Sequence, residues 1–360
     1  MEIKDYLKMA VEKNASDVFI GARRHISLKI DGVISPATEE TPDADKVGNM
    51  ITSLYEMANR PMKKYNETGD DDFPVSVPGV ARFRVSAYRQ RGTMAAIIRV
   101  VQFGIPNHKE LRIPGEVMEI SSEKNGIILV TGPAGSGKTT TLACIIDIIN
   151  QSRNCHIVTL EDPIEYLHKD KKSLVSQREI STDTNTYISA LRACLRQAPD
   201  IILLGEMRDL ETIATAMTAA ETGHLVLSTL HTLGAVNTID RIVDVFPPAQ
   251  QQQIRVQLSM VLKTVVSQQL LPDKSGGLIP AFEIAHINKA IRNLIREFKT
   301  YQINTVIQTS GNEGMISMDG YILRLYTTGA ITAETAIGQA SNTEQMMRYI
   351  ETTPPAISHL

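Results

Sequence analysis

The stretch from residue 126 to 150 constrains the fold more than any other part of the chain. Four apolar residues, Ile127–Val130, lead into Gly132-Pro133-Ala134-Gly135-Ser136-Gly137-Lys138-Thr139, and a long helical pattern starts at once from Lys138. Strand, glycine-rich loop and helix follow one another in the order that GxxxxGK[ST] needs. Such glycines let consecutive backbone N–H groups point inward, and the helix N-terminus adds a partial positive charge. The cradle suits a nucleoside triphosphate. Lys138 is placed to reach the β- and γ-phosphate oxygens, and Thr139 to offer its hydroxyl to Mg2+.

Around this unit, apolar strands alternate with helices, which predicts a mainly parallel sheet with covering helices, an α/β fold. Strands are expected at GIILVTG, HIVTLE, SLVSQRE, IILLGE and HLVLSTLH, and helices over 138–150, 184–197, 209–221 and 234–243. Past Phe246-Pro247-Pro248 the chain turns helical, apart from a hairpin at 264–285. The tail after about 340 is polar and reads as loosely held. The first hundred residues form a smaller unit of mixed character. Ile3, Leu7, Ala10 and Val11 recur at helical spacing, and SLKI meets an Asp31-Gly32 hairpin signal before Val33-Ile34. Thr41-Pro42-Asp43 opens a helix carrying Val47, Met50, Ile51, Leu54 and Met57. Segments near 73–77, 80–90 and 93–101, parted by Pro78-Gly79 and Arg91-Gly92, read as an antiparallel meander. The stretch 102–115, with two prolines, two glycines and little periodicity, reads as a linker. The expected organisation is therefore a domain over 1–101, a linker over 102–115 and a nucleotide domain over 116–360.

Composition narrows the functional classes. A chain of 360 residues exceeds one ordinary core. Its 37 basic and 40 acidic residues leave a net charge of −3, with no general pull toward nucleic acid or an anionic membrane. Aromatics make up 5% and tryptophan is absent, so stacking platforms for single strands are not expected. No apolar run approaches the roughly 18 residues of a membrane span. The N-terminus carries Glu2 and Asp5 in place of an apolar signal core. Cys144, Cys155 and Cys194 form no CxxC pair, which excludes a disulfide scaffold or a four-cysteine zinc module and fits a reducing cytosol.

Hydrolysis needs a carboxylate that orients water in line with the γ-phosphate. Ile201–Leu204 is followed by Gly205-Glu206, with glycine where an aspartate commonly stands at such a strand end. Mg2+ is then expected on Thr139, phosphate oxygens and waters, with Glu206 acting through water. Glu161, Asp162 and Glu165, after HIVTL, also place acids at the carboxyl end of a strand, the edge where ligands bind in open α/β sheets. A turn that caps a helix before Pro163 is the other reading of Glu161 and Asp162. His224 and His231 bracket LVLSTL, a spacing poor for a shared metal. A histidine at a strand end can instead donate to a phosphate oxygen, or simply close the rim of the core. Arg82, Arg84, Arg89, Arg91 and Arg99 crowd into 18 residues without a lysine. Arg82 and Arg84 share a strand face, whereas Arg89 and Arg91 take the other parity unless a bulge intervenes. The choice of arginine suits bidentate phosphate recognition, and solvated strand arginines are the alternative.

Taken together, GPAGSGKTTT, VTLEDPIEYLH, LRQAPDIILLGEMRD and TAAETGHLVLSTLHT resemble the Walker A, Asp box, Walker B and His box of the type II/IV secretion ATPase superfamily. AIRNLIRE (Ala290–Glu297) resembles a signature of the type IV pilus retraction ATPase family. By spacing alone it is an amphipathic helix from Asn288, with Ile291, Leu294 and Ile295 as its stripe. The resemblance covers most of the chain and implies a PAS-like N-terminal domain, a RecA-like P-loop NTPase domain and a homohexameric ring. It further implies ATP hydrolysis driving pilus retraction from the cytoplasmic face of the inner membrane. Membrane association would run through an inner-membrane platform partner, without nucleic acid. On matching positions it makes Glu206 the Walker B glutamate and Glu161, Asp162 and Glu165 the Asp box. It makes His224 and His231 His box residues, Arg82, Arg84, Arg89 and Arg91 arginine contacts, and extends the phosphate loop to Thr140. Ala134 departs from the family's frequent threonine at a position that contributes backbone. A pilus assembly or type II secretion ATPase is the nearest alternative, disfavoured because no cysteine follows the His box. A nucleotide-gated adaptor with little turnover is a third.

Overall fold

The computed structural model describes residues 1–30, 32–101 and 104–352. By its contacts the chain forms two compact units, Met1–Gly104 with Glu165–Leu167, and Ile105–Ile164 with the residues from His168 onward.

In the first unit, β1 (Asp17–Gly21), β2 (Ser27–Ile30), β3 (Val33–Pro36), β4 (Asp70–Val77), β5 (Ala81–Gln90) and β6 (Thr93–Val101) form one sheet in the order β3-β2-β1-β6-β5-β4. Every neighbouring pair is antiparallel. The hairpin expected at Asp31-Gly32 joins β2 to β3, with Ile30 opposite Val33, although Asp31 lies outside the described residues. Along β5, Ala81, Phe83, Val85 and Ala87 are buried at period two. They share a core with Tyr6 and Leu7 of helix Ile3–Glu12 and with Ile51, Leu54 and Tyr55 of helix Ala44–Met57. Asp43 caps the second helix, its side chain accepting from Lys46 N at 2.8 Å. One charge lies beneath the helix. Asp71, 2% exposed, accepts from Arg60 Nε and Nη2 at 3.0 Å each, faces Lys64 Nζ at 3.2 Å and accepts from the Tyr55 hydroxyl at 3.3 Å.

The second unit holds β7 (Gly126–Thr131), β8 (His156–Glu161), β9 (Leu174–Glu179), β10 (Ile201–Leu204), β11 (Leu225–Leu230), β12 (Leu262–Pro272) and β13 (Leu278–His286). Their order is β13-β12-β7-β11-β10-β8-β9. Every pair from β12 to β9 is parallel, and β13 pairs antiparallel at the edge. All residues of β7, β10 and β11 are buried, as strands covered on both faces must be. Alternate residues serve opposite faces: Ile127 and Leu129 join helices Leu210–Glu221, Ala235–Asp244 and Pro248–Val261, while Ile128 and Val130 join helix Lys138–Ser152. The expected hairpin at 264–285 is β12–β13, and it extends this same sheet.

Three expectations change. The helix expected over 184–197 starts only at Tyr187, where Thr186 and Ser189 close a capping box, and ends at Cys194. Most of the proposed linker belongs to the second unit: Ile113 is buried, Ile105 and Leu111 pack on its core, and Arg112 Nη1 meets Asp273 Oδ2 at 2.5 Å. Residues 102 and 103 lie outside the described residues. The tail is also held as far as Thr352. Asp319 accepts from Ser341 N and Asn342 N at 2.7 and 2.9 Å, and helix Thr343–Thr352 buries Met346. Residues 353–360 lie outside the described residues. Asn288 caps helix Lys289–Arg296 as expected, accepting from Ile291 N at 3.0 Å.

Burial alone would raise the Asp71 pKa, but the hydrogen bonds and charges of Arg60 and Lys64 outweigh it and hold the carboxyl below its ordinary value. A carboxylate with a lowered folded-state pKa contributes stability above its unfolded pKa and loses it as pH falls. Asp71→Ala is expected to destabilise the first unit by about 2–4 kcal/mol near neutral pH, since it strands Arg60. The difference from the parent should shrink as the pH drops below 4, a trend readable in urea unfolding followed by circular dichroism.

Candidate functional site

The parallel strands end at one edge, and there the chain gathers its polar residues. Gly132 leaves β7 with φ of 143°, and Gly137 opens the following helix with φ of 87°. A Cβ on Gly132 would lie 2.1 Å from the Gln268 carbonyl oxygen and 2.8 Å from Ser136 Oγ; one on Gly137 would lie 2.9 Å from Gln268 Nε2. Both positions therefore require glycine, for space as well as for backbone conformation. Gln268, on β12, is the wall of the loop, and its Oε1 accepts from Thr141 Oγ1 at 2.7 Å. Sequence spacing carried no signal for it, since it lies 127 positions from Thr141.

Lys138, 8% exposed, donates from Nζ to the carbonyls of Gly132 and Pro133 at 2.9 Å each, drawing the ammonium inside the loop. Pro133, Ala134 and Gly135 form its exposed rim, and Thr139 and Thr140 are half-buried at the first helical turn. Ser136 is buried, and its Oγ has no hydrogen-bond partner among the described residues. A buried hydroxyl without a partner is costly, and here it belongs to a loop shaped for an anion.

β8 delivers Glu161 to the same edge. It is 6% exposed and accepts from Thr159 Oγ1 at 2.6 Å and Gln177 Nε2 at 3.2 Å. Asp162 follows, exposed, before a cis bond to Pro163. No helix begins there, so the capping-turn reading of Glu161 and Asp162 fails. Glu165 lies in the short segment that clusters with the first unit. Glu206, one residue past Gly205 at the end of β10, pairs with Arg208 Nε at 2.6 Å and lies 3.7 Å from His231 Nε2. These residues line a cavity of about 300 Å³ with Thr229, Thr232 and Arg241.

Gly205 has its own explanation. A Cβ there would lie 2.7 Å from the Tyr187 hydroxyl, 3.4 Å from the Leu160 carbonyl and 3.5 Å from Glu161 Cα. An aspartate at 205 would collide with this packing. Tyr187 escaped the sequence reading because it stands in none of the quoted boxes, and Arg208 because, although it lies in the Walker B segment two positions after Glu206, its type alone gives no sign that it pairs with that carboxylate.

His231 and His224 part company. β11 runs parallel to β7, pairing Leu225 with Gly126 and Leu230 with Thr131. His231 therefore emerges beside the phosphate loop, whereas His224 lies at the opposite edge, about 20 Å away along a six-residue strand. Its Nδ1 sits 2.9 Å from the Ala219 carbonyl, closing the turn before β11. The expectation that His224 contacts nucleotide does not hold for this chain's own loop. The loop after His231 is tied to the β12–β13 hairpin instead: Gly234 N donates to Ser267 Oγ at 2.8 Å and Ala235 N to Glu283 Oε1 at 2.7 Å.

The arginines lie in the first unit. β5 keeps an unbroken register with β4 and β6, so no bulge intervenes. Arg82 and Arg84 share the face opposite Phe83, and Arg84 stands directly across from Arg99. Arg99 Nε is paired with Asp17 Oδ1 at 3.0 Å, whereas the Arg84 side chain has no partner among the described residues. Arg89 stacks over the Tyr65 ring at 5.3 Å, and Arg91 occupies the hairpin tip with φ of 49°. Among the described residues, no group of three or more His, Cys, Asp or Glu is arranged to hold a metal ion, and no helix is long and apolar enough to cross a membrane.

A strand, phosphate loop and helix at the carboxyl edge of a parallel sheet, with carboxylates at the ends of β8 and β10 on the same edge, define a P-loop nucleotide-binding protein. The chain belongs to the family described as "Type II/IV secretion system protein", whose model matches residues 1–318. It is 47% identical over 304 residues to a "Twitching motility protein" of Neisseria gonorrhoeae, covering 84% of this chain and 81% of that protein. It is 44% identical over 337 residues to the "Type IV pilus retractation ATPase PilT" of Pseudomonas aeruginosa, covering 93% and 97%. The crystal structure of the pilus retraction motor PilT with bound ADP superposes with a TM-score of 0.90 at 44% identity, over 97% of this chain and 99% of that one.

His168 ends the VTLEDPIEYLH segment and supports the site from behind. Its backbone N–H donates to Gln177 Oε1 at 2.8 Å, the same side chain that touches Glu161. Burial pushes its imidazole down to about 4, and Nδ1 has no partner among the described residues. A histidine with a lowered folded pKa leaves stability intact above its unfolded value and removes it as pH falls toward the folded one. Between about pH 6.5 and 4 the second unit should lose roughly 2–3 kcal/mol from this group. His168→Gln should flatten that part of the stability–pH curve in thermal melts.

Proposed function

We propose that the chain is an ATP-hydrolysing motor that works as a homohexamer and powers type IV pilus retraction. It would act at the cytoplasmic face of the inner membrane through a membrane platform protein. The observation that carries the reading is 44% identity to a type IV pilus retractation ATPase across nearly the whole of both chains, together with an intact phosphate loop and two acidic strand ends beside it.

The chain's residues divide the chemistry among them. The loop from Gly132 to Thr140 binds the triphosphate through backbone N–H groups, and Lys138 exchanges its loop carbonyls for phosphate oxygens. Ser136 Oγ, buried and unpartnered among the described residues, gains an acceptor when an anion enters. Thr139 and, through water, Glu206 fit an Mg2+ ion, which when bound neutralises phosphate charge. Glu161 and Glu206 orient water and accept its proton, with Asp162 beside them. Arg208 and His231 hold Glu206 in place. Arg82 and Arg84 are the candidates for an arginine contact supplied to a nucleotide, with Arg89 and Arg91 more peripheral because one is stacked on Tyr65 and the other occupies a turn.

Lys138→Ala is expected to abolish tight ATP binding in isothermal titration. Glu206→Gln should retain nucleotide while lowering steady-state hydrolysis at least about 100-fold. Equal turnover in Glu206→Gln and the parent would remove Glu206 from its role. Arg84→Ala should leave ATP binding within about twofold yet lower turnover about 100- to 1,000-fold, as for loss of a single charge-stabilising donor. Unchanged turnover would take Arg84 out of the machinery.

A further inference from the structure

Glu161 ends β8 with Asp162 next to it, Glu206 lies two residues past β10, and these strands are paired, with Leu160 opposite Leu204. Ionised carboxylates only accept hydrogen bonds. Thr159, Gln177 and Arg208 already spend donors on Glu161 and Glu206, whereas a further donor on the same seam is unspent among the described residues. Tyr187, the first residue of helix Tyr187–Cys194, is half-buried. A methyl on Gly205 would lie 2.7 Å from its hydroxyl oxygen and 3.5 Å from Glu161 Cα, so the phenol lies over the backbone from which Glu161 and Glu206 depart. Burial first, then the charges of Glu206, Asp162 and Glu161, raise its pKa and keep the O–H protonated. The hydroxyl makes no hydrogen bond with any described residue. A half-buried O–H among acceptors, bonded to none of them, has a donor to offer a guest.

We infer that Tyr187 is a further catalytic residue of this site, donating its phenol O–H to the water that attacks the terminal phosphate. The inference rests on the hydrolytic reading above. A water molecule has two protons and two lone pairs. Glu161 and Glu206 take hydrogen bonds from the protons, and one lone pair faces the γ-phosphorus. The remaining lone pair requires a donor, which no carboxylate can be. In the step, the water oxygen bonds to the γ-phosphorus as the bond from phosphorus to the β–γ bridging oxygen breaks. ADP leaves with that electron pair, and one water proton passes to a carboxylate. Tyr187 neither gains nor loses a proton; it fixes the direction of attack.

Tyr187→Phe removes the oxygen and keeps the ring. Expected are a kcat lowered about 10- to 100-fold, as for a misdirected nucleophile, an ADP affinity within about twofold, and a melting temperature near the parent's. Affinity for ADP with aluminium fluoride, which mimics the transferring phosphoryl group, should fall by about the factor seen in kcat. Gly205→Ala should reproduce the loss by displacing the hydroxyl, and in the Tyr187→Phe background it should add nothing, since the ring without its oxygen leaves room for the methyl. Undiminished kcat and undiminished ADP–aluminium fluoride binding in Tyr187→Phe, beside an active parent and an inactive Glu206→Gln, would overturn the Tyr187 assignment alone. Equal weakening of ADP and ADP–aluminium fluoride would also overturn it, by showing a packing role. A parent without ATPase activity would overturn both readings.

Discussion

The second unit depends on one constraint: its central strands are covered on both faces. β7, β10 and β11 carry no charged residue along their length, and their few polar side chains are small hydroxyls: Thr131 bonds Ser267 at 2.6 Å, Thr229 donates to the Gly205 carbonyl, and Ser228 Oγ has no partner among the described residues. Charge is thereby driven to the strand ends. Because the strands are parallel, their carboxyl ends share one edge. The phosphate loop, Glu161, Glu206 and His231 meet there although 99 positions separate Gly132 from His231 in the chain.

The β12–β13 hairpin converts that edge into a site. Gln268 walls the phosphate loop so closely that Gly132 and Gly137 cannot bear side chains. Ser267 and Glu283 anchor the turn after His231. Glu283 is pushed toward its neutral form chiefly by burial, opposed by backbone N–H donors at Ala235 and Met318. An edge hairpin supports the reactive edge through hydrogen bonds, while the helices secure it by packing.

Much of this was readable in the residues. The loop, the strands at 156–161 and 201–204, and the acids at 161 and 206 carry local patterns, apolar runs broken by glycine and carboxylate, that survive folding unchanged. Elsewhere local pattern misled. Residues 105–115 lack periodicity, yet Ile105, Leu111 and Ile113 pack on the core, because irregular backbone can bury apolar side chains without a repeat. The polar tail is tied by Asp319, a contact 22 and 23 positions away. His224 and His231 look equivalent in sequence, and strand direction sends them to opposite edges.

The sequence by itself determined that a phosphate-binding loop joins a buried strand to a helix, since glycine spacing, apolar runs and a lysine act over a few residues. Only the tertiary structure decided which distant groups surround it. Gln268, Arg208 and Tyr187 reach the site through strand register and helix placement. Those are set by how the whole sheet buries its two faces, and no short window of sequence contains that information.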